Sequence, residues 1–203
     1  FVWVNVTGAR AAVHGKPDYL VVAVEDITAR KKVEEDLKRT VESSFHQATH
    51  DMLTGVANRT SFNARLKEAL AYAKRDQHQV AVHVLDLDGF KAINDTLGHH
   101  VGDLLLKDAA IRLAAKVRAT DMVARLGGDE FAIIQTHLAE ASAAGVLAKK
   151  LVADLGRKYV LQDQEVHSGT SIGVALYPGD ADNPGELIKQ ADLALYDAKQ
   201  RGR

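Results

Sequence analysis

The 203-residue chain contains no cysteine. That excludes disulfides and thiolate metal sites, and it fits a reducing compartment. No run of 18 apolar residues occurs, so nothing reads as a helix that spans a bilayer. A surplus of one charge is also missing: 26 Lys and Arg stand against 27 Asp and Glu, for a net charge of -1. Without such a surplus there is no global attraction to nucleic acid or to an anionic membrane surface. There is no internal repeat and no low-complexity tract. What is present is 46% apolar residues, enough to fill one full domain plus a smaller piece. The chain starts at Phe1 inside a strand-like run and ends at Arg203 just after an apparent helix. Both ends read as cuts from a longer protein, so a missing leader or anchor says nothing about the parent.

Val2, Val4 and Val6 alternate with Trp3, Asn5 and Thr7, the period of a half-buried strand. Tyr19 to Val24 is a second strand, with turn chemistry at His14 to Asp18 between them. Two strands are not a stable domain. Thr28 is placed to cap the next helix. From Ala29 to about Ala48 the chain is charge-rich, with Glu34 and Lys38, and Glu35 and Arg39, four apart in the favourable order. Val33, Leu37, Val41, Phe45 and Ala48 form a narrow apolar stripe. Such a stripe suits a two-stranded coiled coil; the alternative is a lone amphipathic linker with solvated charges.

His50 to Arg59 breaks the helical pattern and offers an Asn or Thr cap for a helix from about Ser61 to Arg75. Gln79 to Leu87 is apolar on both faces and therefore a central strand. Helices follow from about Phe90 to Ala119, then a hairpin, then an alanine-rich helix from about Leu138 to Leu155. Tyr159 to Leu161 and His167 to Tyr177 read as strands, and Pro184 to Lys199 as a last helix. This order predicts an α/β sandwich around a mixed sheet.

The hairpin organises the chain. Met122 to Leu126 and Phe131 to Ile134 are strand-like, and Gly127 and Gly128 supply the positive φ that a tight turn needs. Asp129 and Glu130 then put two carboxylates at the tip, which suits a hard divalent cation better than it suits stability. A second acidic group closes the central strand, where Asp86 and Asp88 share one face and Leu87 lies between them. A charge ending an apolar strand is costly unless it is paired or binds a cation. Metal binding is the reading for Asp86, while for Asp88 a helix cap stands equal to it. The amides at the start of the helix at Phe90 and Lys91 can cradle phosphate.

The five residues Gly127-Gly128-Asp129-Glu130-Phe131 resemble the signature of the GGDEF family, the diguanylate cyclases. Asp51-Met52-Leu53-Thr54-Gly55-Val56-Ala57-Asn58-Arg59 is similar to the segment that opens those domains, and the resemblance covers about residues 49–203. Residues 1–28 resemble the last hairpin of a PAS sensory domain, and 29–48 the signalling helix that joins PAS to output domains. The resemblance implies a palm-like fold and condensation of two GTP into cyclic di-GMP, with Mg²⁺ or Mn²⁺. It implies that Asp86, the backbone oxygen of Leu87 and Asp129 hold the metal, with Glu130 helping a second ion. Asp129, or its metal, assists deprotonation of the nucleophile. Asn94 and Asp103 would read guanine, with His99 near the nucleotide, and Lys199 and Arg203 would grip the terminal phosphates. An Asp accepts from guanine's N1–H and amine and an Asn donates to its acceptors, so adenine would leave them unpaired.

Arg118 and Asp121 match the family's product-inhibition site, where cyclic di-GMP binds. As a bare tetrad they would be a surface ion pair of little weight. One domain holds half the reactants, so the resemblance implies a homodimer with facing sites, controlled through the linker helix. The fragment would be cytoplasmic, with membrane attachment of the parent left open. The alternative is a catalytically silent GTP- or cyclic di-GMP-binding domain ahead of an EAL phosphodiesterase domain.

Overall fold

The structure, a computed structural model, describes residues 1–11 and 19–201. In chain order the elements are β1 (Val4–Ala11), β2 (Tyr19–Asp26), α1 (Thr28–Thr49), β3 (Ala57–Asn58), α2 (Arg59–Asp76), β4 (Gln79–Asp88), α3 (Phe90–Leu97), α4 (His99–Ala114), β5 (Met122–Gly127), β6 (Glu130–Leu138), α5 (Ser142–Leu155), β7 (Tyr159–Leu161), β8 (Gln164–Val166), β9 (Gly169–Tyr177) and α6 (Pro184–Gln200). They fall into two compact units, Phe1–His46 and Gln47–Arg203. Among the described residues no helix is long and apolar enough to cross a membrane.

In the first unit β1 and β2 form an antiparallel hairpin, with Val4 opposite Asp26. The turn expected at His14 to Asp18 lies outside the described residues, as does Arg203. The cap expected of Thr28 is corrected. Its own amide donates to Asp26 Oδ1 at 2.9 Å, and its hydroxyl oxygen instead accepts from the Trp3 amide at 2.9 Å. The α1 stripe of Val33, Leu37, Val41 and Phe45 is exposed.

The second unit is built on a five-stranded sheet in the order β3-β5-β6-β4-β9, antiparallel except for β3 against β5. Strand β4 is central, as its sequence requires. Val80, Val82 and Val84 pack with Phe62, Leu66, Leu187 and Ala191 of α2 and α6. Leu85 and Leu87 pack on the other face with Leu105, Leu113 and Leu151 of α4 and α5. Period two then carries Asp86 and Asp88 to the α2/α6 side, in line with Val84.

Three boundaries differ from expectation. The helical stretch from Phe90 is two helices divided at Gly98 and ends at Ala114. Strand β6 continues to Leu138, because its pairing with β4 resumes at Gln79 past a register shift, so α5 starts at Ser142. The short β7–β8 ladder turns through Gln162 and Asp163 at φ 49° and 64°, a left-handed pair that side-chain patterning does not reveal.

Gly173 of β9 is where α6 comes closest to the sheet. A Cβ there would collide with the Ala191 carbonyl oxygen and the Leu195 backbone. Both are backbone atoms, so strand and helix must separate. Gly173→Ala is expected to lower the free energy of unfolding by about 2–3 kcal/mol, read from urea titrations; an unchanged midpoint would contradict this packing.

His83 of β4 is fully buried against Gln135 of β6, with Nε2 3.1 Å from Oε1. Burial pushes its pKa from 6.5 down to about 4, outweighing the Gln135 hydrogen bond and the Asp121 charge. Between those two values the unfolded chain binds the extra proton. Stability contributed by the neutral ring is therefore complete above pH 6.5 and lost as pH falls toward 4, by roughly 3 kcal/mol. Denaturation at pH 7 and pH 4.5 is expected to show a loss that is smaller in His83→Leu; equal losses in both proteins would contradict it.

Candidate active site

The β5–β6 turn is held from outside the hairpin. Arg125 lies opposite Phe131, and the register shifts before Gly127 pairs with Glu130. Gly127 and Gly128 sit at φ 145° and 53°, so the turn has the positive φ expected at both glycines. The Arg125 guanidinium spans the shift. Its Nε and Nη2 donate to the Gly128 carbonyl at 2.9 and 2.7 Å, and its Nη1 donates to Asp51 Oδ1 and Oδ2 at 3.0 and 3.2 Å. Burial works to raise the Asp51 pKa, but the Thr54 hydroxyl and amide and the Arg125 charge outweigh it and hold the carboxyl below the usual range. Arg59 adds a second tie, donating from Nε to the Leu126 carbonyl at 2.9 Å. The segment opening the domain therefore grips the turn as well as receiving the helix. Its Asn58 accepts from the Ser61 amide at 3.0 Å as the cap of α2.

This grip sets Asp129 beside the end of β4. Burial raises the Asp129 carboxyl above its ordinary value, and the negative Asp86 adds to the rise. Asp86 itself is mostly buried, and the Lys199 ammonium of α6 lies 2.7 Å from its Oδ2. Two facing carboxylates that draw a cation to themselves are the hard oxygen set a divalent ion takes. Among the described residues no three His, Cys, Asp or Glu side chains gather closely enough to hold a metal alone. A third oxygen from another group, such as the backbone oxygen expected of Leu87, would complete the set. Glu130 turns the other way, 3.7 Å from the Arg59 guanidinium. Asp88 does not cap α3, whose N-cap Gly89 makes no side-chain bond; its Oδ1 accepts from the Ser171 hydroxyl at 2.9 Å.

Beyond β4, the α3–α4 pair presents the expected nucleotide residues. Asn94 Oδ1 is buried without a hydrogen-bond partner and rests against Gly102, where a Cβ would strike it. Phe90 is half-buried, whereas Lys91, His99 and Asp103 are exposed. His100 is exposed too, and its Nε2 meets Gln162 Nε2 at 2.8 Å, in keeping with a surface role.

Arg118 and Asp121 lie at a separate cavity of about 340 Å³, with Lys116, Gln135, Ser142 and Lys150 also in its wall. They are not an ion pair. Asp121 accepts from the Arg118 backbone amide and the Thr136 amide, each at 3.0 Å, and so fixes the loop that carries the guanidinium. Sequence reasoning missed the ties that Arg125 and Arg59 make to the turn, and the presence of Lys150 and Gln135 in the cavity wall. Asp51 lies inside the recognised opening segment, but nothing there announces Arg125 as its partner.

Comparison with known proteins identifies the family. Residues 48–203 match the family described as "Diguanylate cyclase, GGDEF domain". The chain is 46% identical over 187 residues to the bifunctional diguanylate cyclase/cyclic di-GMP phosphodiesterase MucR of Pseudomonas aeruginosa, covering 91% of this chain and 27% of that protein. It is 44% identical over 162 residues to the diguanylate cyclase TpbB of the same species, covering 79% and 37%. The chain thus spans well under half the length of these relatives. A solved GGDEF domain of TpbB superposes with TM-score 0.74 at 42% identity, covering 76% of this chain and 90% of that one. The coiled coil and GGDEF domain of DgcB from Caulobacter crescentus, solved in complex with c-di-GMP, superposes with TM-score 0.76 at 30% identity, covering 86% and 93%. The chain belongs to the GGDEF diguanylate cyclase domain family.

Proposed function

We propose that this chain condenses two GTP molecules into cyclic di-GMP as a homodimer. The supporting observation is the approach of Asp129, on the clamped turn, to Asp86 at the end of β4, with the Lys199 ammonium drawn to the pair. Asp86, Asp129 and the Leu87 carbonyl would hold Mg²⁺ or Mn²⁺, with Glu130 free to swing from Arg59 toward a second ion. A divalent ion bound there would neutralise phosphate charge and ease loss of the nucleophile's proton. Asn94 and Asp103 read the guanine, with His99 beside it. The α3 amides behind Phe90 and Lys91 meet the phosphates, joined by Lys199 and Arg203. The 3′-hydroxyl oxygen of one GTP bonds to the α-phosphorus of the other, the α–β bridge breaks, and pyrophosphate leaves with its electrons. The proton leaves with help from Asp129, and a second round closes the ring.

Each domain holds one GTP, so two must face each other and their alignment is part of catalysis. The exposed α1 stripe of Val33, Leu37, Val41 and Phe45 supports a parallel coiled coil that sets this alignment. We read residues 1–28 as the end of a PAS domain, 29–48 as the signalling helix and 49–203 as the cyclase. Cyclic di-GMP binding at Arg118 and Asp121 would supply feedback inhibition. The facing pair Asp86 and Asp129 supports turnover over silent binding ahead of an EAL domain.

Asp129→Ala is expected to cut GTP turnover by roughly a thousand-fold. Thermal unfolding should be unchanged or slightly later, because the removed carboxylate is repelled by Asp86. Normal turnover in a folded Asp129→Ala protein would sink the assignment.

A further inference from the structure

The cavity at Arg118 and Asp121 holds a polar group to which no role has been given. Gln135 of β6 is 7% exposed and lines this cavity. Its Oε1 lies 3.1 Å from Nε2 of the buried His83, and His83 Nδ1 has no hydrogen-bond partner. A neutral imidazole carries one N–H. With the hydrogen on Nε2, it is used by Gln135 Oε1, and only an acceptor is left bare at Nδ1. With the hydrogen on Nδ1, a buried donor would be stranded, the rarer and costlier case. The pair is therefore oriented: His83 donates from Nε2, and the Gln135 amide nitrogen is turned away from it. That nitrogen has no protein partner among the described residues and is not sealed from solvent, so it faces the cavity. Lys116, Arg118 and Lys150 line the same cavity with the single carboxylate of Asp121, Lys116 being paired with Asp154 at 3.4 Å. This is a wall suited to an anion that also carries hydrogen-bond acceptors.

We propose that Gln135 is a recognition residue of this cavity, donating its amide hydrogens to an acceptor oxygen of a bound guanine dinucleotide. His83 is the positioning residue that holds the amide that way round. The proposal rests on the reading of the cavity as the cyclic di-GMP site. It adds a directional donor to the charge of Arg118, and it explains why a strand packed under apolar helices carries a histidine diagonal to a glutamine of the next strand. An apolar pair would fill the same space but leave the cavity floor without a donor.

The test is calorimetric titration of the folded protein with cyclic di-GMP, each variant first checked for a cooperative thermal transition. Gln135→Leu is expected to weaken binding roughly tenfold, the effect of one lost hydrogen bond in a buried site. Gln135→Glu, of the same shape but bearing acceptors and a negative charge, should weaken it further. His83→Leu should match Gln135→Leu, and the double variant should bind no worse than either single one, since both changes remove the same donor. A purely structural role for His83 would instead add its loss to that of Gln135. Arg118→Ala separates the two levels of the reading. If it abolishes binding while Gln135→Leu binds as the original chain does, the cavity stands and the role of Gln135 falls. If Arg118→Ala also binds normally, the ligand sits elsewhere and both fall.

Discussion

The site depends on one guanidinium. Arg125 bonds to the carbonyl of Gly128 with two nitrogens and to both oxygens of Asp51 with a third. A glycine turn has little stiffness of its own, because the freedom that lets Gly127 and Gly128 reach positive φ lets the unfolded chain reach many other conformations. The planar fork of an arginine removes that slack by fixing two directions at once, which a lysine at this position would not do. Its aliphatic stem and charge are largely shielded from water, so the pair is screened less than a surface ion pair. Asp129 comes next to the held carbonyl, so the direction in which its carboxylate meets Asp86 depends on Asp51, 74 residues before Arg125 in the chain.

The rest of the second unit presents two functional surfaces from one pair of strands. On β4, Asp86 lies on the α2/α6 side, and His83, three residues before it, lies on the α4/α5 side. On β6, Glu130 begins the strand at the turn, and Gln135 reaches the cavity that holds Arg118 and Asp121. Period two in two adjacent strands thus divides an acidic strand end from a cavity lined by Arg118 and two lysines, with the packed sheet between them. The close seat of α6 on Gly173 matters for the same reason, because α6 carries Lys199 to Asp86.

Much of this was legible in the residues. The two-faced apolar run of β4, the double glycine, the paired aspartates and the amphipathic helices each follow from local chemistry, and the mixed sheet follows from their order. The family signature named the same turn that the chemistry had singled out. What was not legible depends on long-range contact. Asp51 read as part of a turn, because nothing in its neighbourhood announces a partner 74 residues away. As a bare tetrad Arg118 and Asp121 suggested no more than a surface ion pair, whereas the Asp121 oxygens accept backbone amides of the loop and of β6. His83 read as one letter in an apolar strand, and only its diagonal contact with Gln135 on the neighbouring strand gives it a task. The end of β6 was misplaced for a simpler reason. Leu138 suits a helix as well as a strand, and the ladder with Gln79 decided between them.

The most direct test of this account is a double-mutant cycle on GTP turnover with Asp51→Ala, Arg125→Ala and the pair. If the clamp aims the turn, each single change should lower turnover by a similar factor, about a hundred-fold for a displaced reacting group, and the pair should lower it no further. Singles that leave turnover intact, or losses that simply multiply in the pair, would show that Asp51 does not act through Arg125 and that the turn is positioned by something else.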